Sequence, residues 1–188
     1  MTDREEPGRA SFPRTLETSR LVLAPFSDDD AAAAFAWLGD PDVMRFIPSG
    51  PDASIEATRA RLQRYREHQA AHGFSKWIVR LRSTGEAVGD SGLLRLEDSG
   101  AVDLGFRLAR PCWGRGFATE VARAWVRAAF ADFRLGRLTA FAHTENRASL
   151  RVLERVGFRR TGLARVMGME AFTYVLDAGD EPAGGKAG

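Results

Sequence analysis

The stretch Arg110-Pro-Cys-Trp-Gly-Arg-Gly-Phe-Ala-Thr-Glu120 decides how the rest of the chain reads. A short apolar run, Val102 to Leu108, leads into it, and an amphipathic run, Phe117 to Phe130, leads out. Gly114 and Gly116 let the backbone take unusual φ angles and admit a ligand close to the main chain. Thr119 and Glu120 fall in the first turn of the helix that follows. A strand, a glycine-rich bend and a helix start gather unpaired backbone N–H groups around one point, and the helix dipole adds partial positive charge there. Such a point suits a phosphate or pyrophosphate, and Arg110 and Arg115 flank it. The same glycines would also serve a helix entry that needs them only for packing. No Gly-Lys-Ser/Thr follows, which excludes a P-loop, and neither Thr119 nor Glu120 supplies the third Gly or Ala of a Rossmann fingerprint.

Working outward, the 188 residues suggest one domain with a core large enough to need no staples. Hydrophobic residues are 44% and charged residues 28% of the chain, the profile of a globular protein in water. The net charge of only +2 gives no global argument for nucleic acid as a partner. Cys112 is the single cysteine, so no internal disulfide can form, which fits a reducing, cytoplasmic setting. No apolar run approaches the roughly 20 residues that cross a bilayer, so no membrane partner is expected. Residues 1–15 read as a flexible N-terminal segment, 16–177 as the single domain, and the Gly/Ala/Pro-rich 178–188 as a disordered tail.

Taken in order, Arg20 to Phe26 is β-rich and reads as a first strand. Ser27 with Asp30 forms a capping-box pattern that opens an alanine-rich helix to about Leu38, stopped by Gly39-Asp40-Pro41. Asp42 to Phe46 allows one more turn. Asp52 or Ser54 caps a mostly charged helix from about Ile55 to His72, ended by Gly73. His68 and His72 share a face at i and i+4, but no third ligand accompanies them, so a solvated face is preferred to a metal site. Phe74 to Arg82, Ala87 to Leu96 and Val102 to Leu108 read as three successive antiparallel strands before the glycine loop. A Rossmann domain would place a parallel βαβ unit there instead. After the loop, Phe117, Val121, Trp125 and Ala129 make a core-facing helical stripe. Leu138 to Ala142 is a strand, a helix runs from its cap Asn146 to Gly157, and two strands close the chain, from Phe158 and over Glu170 to Leu176.

Two motifs now stand in order, Trp113-Gly-Arg-Gly-Phe-Ala118 and Asn146-x-x-Ser149 running to Val156-Gly-Phe158, each opening a helix after a strand. Together they resemble the GNAT superfamily of acetyl-CoA-dependent N-acetyltransferases. The first matches the family's Gln/Arg-x-x-Gly-x-Gly/Ala loop, with Trp113 in place of Gln or Arg. The opening Leu16-Glu-Thr-Ser-Arg-Leu-Val-Leu23, with Trp113 to Glu120, is similar to the Rim-type ribosomal-protein N-terminal acetyltransferase branch. The resemblance runs from about Leu16 to Leu176. It implies an α/β fold of the α+β type: a mixed, mostly antiparallel, strongly twisted sheet flanked by helices, with a V-shaped splay between its fourth and fifth strands. It also implies acetyl-CoA as donor, a monomer or homodimer, no metal, and an amine acceptor, either a protein or peptide N-terminus or a small molecule.

On that resemblance, the amides of Trp113, Gly114, Arg115, Gly116, Phe117, Ala118 and Thr119 hold the pyrophosphate. The pantetheine arm pairs with the free edge of Leu104 to Leu108, including Phe106, and with Asn146. A backbone N–H near Arg107 or Leu108 polarises the acetyl carbonyl. Relatives often carry a tyrosine acid on the helix after the second motif's strand, but Tyr65 and Tyr174 lie elsewhere. Ser149 is the candidate for serving the leaving thiolate, against a serine that only bonds its own helix. Asp103 is the candidate base, on one strand face with Gly105 and Arg107, against a plain hairpin-edge charge. His143 is a second candidate base, against a loop residue, and Glu120 is read as complementing the helix dipole. A lysine amine of pKa about 10.4 is neutral in roughly one molecule in 2,500 at pH 7, a cost of about 4.6 kcal/mol, whereas an α-amine at about 7.8 costs about 1 kcal/mol. A site without a compelling base therefore leans towards an N-terminal acceptor. The competing classes are a non-catalytic acyl-CoA-binding or regulatory module and, more distantly, a Rossmann oxidoreductase.

Overall fold

The computed structural model describes residues 15–180. The expectations for segments 1–14 and 181–188 lie outside the described residues. Eight strands form one sheet in the order β1-β2-β3-β4-β5-β6-β8-β7. They are β1 (Leu16–Glu17), β2 (Leu21–Pro25), β3 (Lys76–Leu81), β4 (Ala87–Arg95), β5 (Val102–Leu108), β6 (Arg137–His143), β7 (Arg159–Val166) and β8 (Met169–Asp177). Five helices flank it: α1 (Ala31–Leu38), α2 (Pro41–Met44), α3 (Ile55–His72), α4 (Phe117–Ala131) and α5 (Arg147–Val156). Every described pairing is antiparallel except β5 with β6, which is parallel and joined at a single residue pair, Asp103 with Thr139. Counting the two-residue β1, the splay foreseen between the fourth and fifth strands falls between β5 and β6.

Alternation along the strands sorts side chains into two cores. On one face lie Trp77, Val79, Leu93, Leu104 and Leu138, together with Val121, Trp125 and Ala129 of α4. Trp125 meets Trp77 edge-on, with ring centroids 4.8 Å apart. This is the stripe that the 3.6-residue period of α4 requires. The opposite face carries a smaller core of Phe26, Trp37, Leu38, Met44, Leu62 and Ile78 under α1 and α3. The capping box forms as read: Asp30 accepts from the Ser27 backbone N–H at 2.7 Å. Of the two candidate caps of α3 it is Ser54 that accepts from the Ala57 N–H. Asp52 instead accepts from Thr58 and Arg61.

The histidine pair is employed within the fold. His68 Nδ1 lies 2.8 Å from the Phe74 carbonyl and Nε2 accepts from the Arg95 N–H at 2.9 Å, so both ring nitrogens are occupied. Burial pulls its pKa below the ordinary imidazole value. Among the described residues, no group of three or more His, Cys, Asp or Glu is placed to hold a metal ion. No helix among them is long and apolar enough to cross a membrane.

Candidate active site

The glycine loop leaves β5 through a short 3-10 turn, Arg110–Cys112, and enters α4 at Gly116. Gly114 at φ +73° and Gly116 at φ +81° both lie in the left-handed region, which is why the loop needs glycine at these two positions. The first intrahelical bond of α4 runs from Glu120 N–H to Gly116. The amides of Gly114 to Thr119 therefore precede the helix ladder, and among the described residues none of them donates to a protein acceptor. A helix start without a side-chain cap, with several donors and a dipole aimed outward, is a ready anion site. Trp113 stands half-exposed beside it, its indole Nε1 donating to the Leu108 carbonyl at 2.7 Å. Arg115 stacks over the Phe117 ring, whereas Arg110 is taken up in an exposed ion pair with Asp42.

The loop is pinned from behind by residues whose role the sequence left unread. Glu120 accepts from Thr18 Oγ1 at 2.6 Å, from the Arg20 N–H at 3.0 Å and from Arg20 Nε at 2.7 Å. Arg20 also donates to the Arg115 carbonyl and lies over Phe117. Glu120 is thus more than a dipole partner: it ties the β1–β2 turn to the loop. Burial would raise its pKa, but the hydrogen bonds from Thr18 and Arg20 outweigh that and hold it below the usual range. The legible signal is the polar Thr18-Ser19-Arg20 run, whose partner only the fold supplies.

The gap that the loop overlooks is built by the divergence of β5 from β6 beyond Asp103–Thr139. Hydrogen bonds at the two ends of the β4–β5 pair, Leu96 N–H to Ala101 and Ala109 N–H to Val88, set the alternation. Odd-numbered residues of β5 turn their N–H groups towards β4, and Leu104, Phe106 and Leu108 turn theirs towards the gap. Of the two amides considered for the acetyl carbonyl, Leu108 is therefore the one that faces the gap. Arg107 faces β4, and its side chain lies on the opposite sheet face, where Asp90 accepts from it at 2.7 Å and Tyr65 Oη at 2.8 Å. Asp90, fully buried, also accepts from Trp37 Nε1. Burial would lower the Arg107 pKa, but the Asp90 charge more than offsets it and raises it.

At the far wall, α5 begins just past the end of β6. Asn146 caps it by accepting from the Ser149 N–H at 3.2 Å. The Ser149 hydroxyl makes no hydrogen bond among the described residues, so the alternative of a serine bonded to its own helix does not apply. Tyr174 is buried in β8, its hydroxyl 3.4 Å from Glu154, and Tyr65 serves Arg107, so neither stands at the gap as an acid. His143 packs against Phe46, and its Nδ1 accepts from the Glu145 N–H at 3.1 Å. The nitrogen left over, Nε2, then carries the proton in the neutral ring, which makes His143 a donor before it is a base.

Asp103 is not a hairpin-edge charge. It is 9% exposed, at the apex of the gap, on one sheet face with Gly105 and Arg107 as alternation required. Thr139 Oγ1 lies 3.5 Å from its Oδ1. Burial lifts its pKa well above the carboxylate range, opposed by the nearby Lys76 charge and by Thr139. Lys76, buried in β3, is the titratable neighbour the sequence did not reveal.

The residues matching the model of the "Acetyltransferase (GNAT) domain" are 20–159, which contain the loop, the gap strands and the Asn146–Ser149 cap. The uncharacterized N-acetyltransferase YoaA of Bacillus subtilis is 32% identical over 152 residues, spanning 80% of this chain and 85% of YoaA. The acetyltransferase from Agrobacterium tumefaciens superposes with a TM-score of 0.77 at 28% identity, covering 92% of this chain and 99% of that one. RimJ of Mycobacterium smegmatis, solved with CoA-disulfide, shares the fold with a TM-score of 0.72 at 24% identity, covering 87% and 84%. With its mixed sheet, single parallel junction and unpaired loop amides, the chain belongs to the GNAT family of acyltransferases, N-acetyltransferases that use acetyl-CoA.

Proposed function

We propose that this chain transfers acetyl from acetyl-CoA directly to a primary amine in a ternary complex, and that the acceptor is the α-amine of a protein or peptide. One observation carries the reading. The unpaired amides of Gly114 to Thr119 run on into the unpaired β5 edge at Leu108 and Phe106, and the Asn146–Ser149 helix start stands across the gap. That row matches a ligand with a pyrophosphate at one end and a peptide-like arm at the other. Asn146 stands where it can meet the arm as well as cap α5.

In this reading the Leu108 N–H polarises the thioester carbonyl, worth most where water is excluded. Asp103 takes one proton from the acceptor ammonium, directly or through water. The freed lone pair forms the C–N bond and the C–S bond breaks. Ser149 Oγ–H gives its proton to the departing sulfur and regains one from the second N–H released as the bond forms. Positive charge at the α5 N-terminus supports the developing thiolate. The modest demand of an α-amine, about 1 kcal/mol to deprotonate at pH 7, suits a base shielded as Asp103 is. The single, buried Cys112 accords with a cytoplasmic setting.

The test is incubation of peptide and amine libraries with acetyl-CoA, read by mass spectrometry and by release of free CoA thiol. Acetylated peptide N-termini are the expected result. Acetylation confined to small-molecule amines would replace the acceptor, and binding of acetyl-CoA without thiol release would make the chain a non-catalytic acyl-CoA module.

A further inference from the structure

The β-ladder places Lys76, Gly92 and Gly105 side by side across β3, β4 and β5. Two glycines in one row clear a trough on the sheet face beneath α3, and the Lys76 side chain runs along it. Its Nζ donates to the Gly92 carbonyl at 3.0 Å, and a Cβ placed on Gly105 would collide with that same Nζ. The ammonium therefore ends over β5 between Asp103 and Arg107, which share this face with Gly105. The Gly92 carbonyl is its one acceptor among the described residues, so two of its three protons have no directed partner. A buried cation held so sparsely is costly where an aliphatic side chain would fill the trough. The groups facing it are few. Asp90 of β4 and Arg107 of β5 are committed to each other, Tyr65 of α3 is bonded to Arg107, and His68 of α3 uses both ring nitrogens on backbone. Thr139 of β6 reaches Asp103 but carries no charge. Among the described strand residues of this face, Asp103 is left as the one carboxylate without a cation bound to it.

We infer that Lys76 is a positioning residue for the reaction: lodged over Gly105, its ammonium favours, in the neighbouring Asp103, the ionised form that accepts the acceptor's proton. This rests on the reading of Asp103 as base. Burial lowers the Lys76 pKa and raises that of Asp103, and each charge offsets the other's shift. The pair thus keeps a proton acceptor available inside a site that would otherwise protonate it.

The test compares the wild type with Lys76→Met, Gly105→Ala and Asp103→Asn in two measurements. One is the pH profile of kcat/KM for an acetylated amine, and the other is the titration of the Asp103 side-chain carboxyl by carbon NMR on the free enzyme. Loss of a close opposite charge shifts a carboxyl by about 1–3 pKa units. Lys76→Met should therefore raise the Asp103 midpoint and carry the acid limb of the profile with it, at least tenfold slower below the midpoint and recovering at high pH. Gly105→Ala, which displaces Nζ without removing it, should move both in the same direction. It also decides the matter if Lys76→Met fails to fold. An unmoved Asp103 midpoint and acid limb in the folded variants would overturn the inference and leave Lys76 as trough filling. Asp103→Asn separates the two ideas: if it keeps wild-type turnover and the same acid limb, Asp103 is not the base, whatever Lys76 does.

Discussion

At Ser149 a hydroxyl with no partner among the described residues stands one turn inside a capped helix, its own N–H already spent on Asn146. Such a group is free to serve a leaving sulfur, and general-acid help is worth about 10²–10⁴-fold in rate. Ser149→Ala is predicted to lower kcat by up to that factor with little change in the dissociation constant for acetyl-CoA. Steady-state kinetics with parallel calorimetry checks it, and equal losses in both would recast Ser149 as a residue that only places the donor. Gly116 answers a different demand. At φ +81° a β-branched residue is strained whatever the space around it, so Gly116→Val should abolish acetyl-CoA binding in a protein whose circular dichroism is unchanged. An undiminished calorimetric affinity would remove the loop from the donor site. These residues were legible because their signals are local, a glycine pair before a helix and an asparagine three before a serine. Lys76 and Asp90 were not. Each is a lone charge within a strand, and only the strands packed beside it decide whether it faces water or the interior.

Among the elements, the β1–β2 turn does most to hold the glycine loop in place. Its Thr18, Ser19 and Arg20 converge on Glu120, so the start of α4 is held by a segment about 100 residues away in sequence. Glu120→Gln should destabilise the protein by about 1 kcal/mol at neutral pH, a value discounted for partial exposure. It should also raise the KM for acetyl-CoA more than it lowers kcat. The sign with pH follows from the lowered pKa of the folded state. The carboxylate's contribution is fully present above the unfolded value near 4.5 and is lost as pH falls through the lower folded value. The melting temperatures of wild type and variant should therefore converge in acid, and a gap that persists below that range would mean the glutamine disturbs packing instead. At the other helix start, Asn146→Ala removes a cap worth about 0.5–2 kcal/mol. If the variant loses stability but not CoA affinity, Asn146 is a cap alone. Most elements could be read from the sequence to within a residue or two, because each carries its own stop: Gly73 and Gly157 both adopt left-handed φ at helix ends. The two-residue β1 escaped, being too short for any periodicity. The splay between β5 and β6 came from the family resemblance and not from local pattern, and that their one joining pair is parallel is shown by the fold alone.

As a whole, the sheet is two antiparallel blocks, β1 to β5 and β6 with β8 and β7, that touch through one β-bridge. Side chains of α4 and α5 bind the blocks into one core, with Phe117, Val121 and Trp125 meeting Leu138, Leu150 and Leu153 within a single buried cluster. A gap in the main-chain ladder at the centre of a sheet leaves donors at Phe106 and Leu108 that a protein ordinarily pairs. A molecule lying in the gap would complete the ladder and couple the blocks. The donor should therefore act as a folding ligand for the entire chain. At a free concentration about one hundred times its dissociation constant, acetyl-CoA should add about 2.7 kcal/mol of stability. In a chain of this length that corresponds to a rise in Tm of about 5–11 °C. Hydrogen exchange should slow at the amides of Phe106, Leu108 and Gly114 to Thr119, and also within β6, which lies across the gap. Gly116→Val should lose both responses. The measurement is thermal unfolding with hydrogen exchange read residue by residue, across a titration of acetyl-CoA. A Tm that rises while β6 keeps its exchange rate would confine the donor to the loop. A Tm that stays fixed at saturating acetyl-CoA would remove the gap from the donor site altogether.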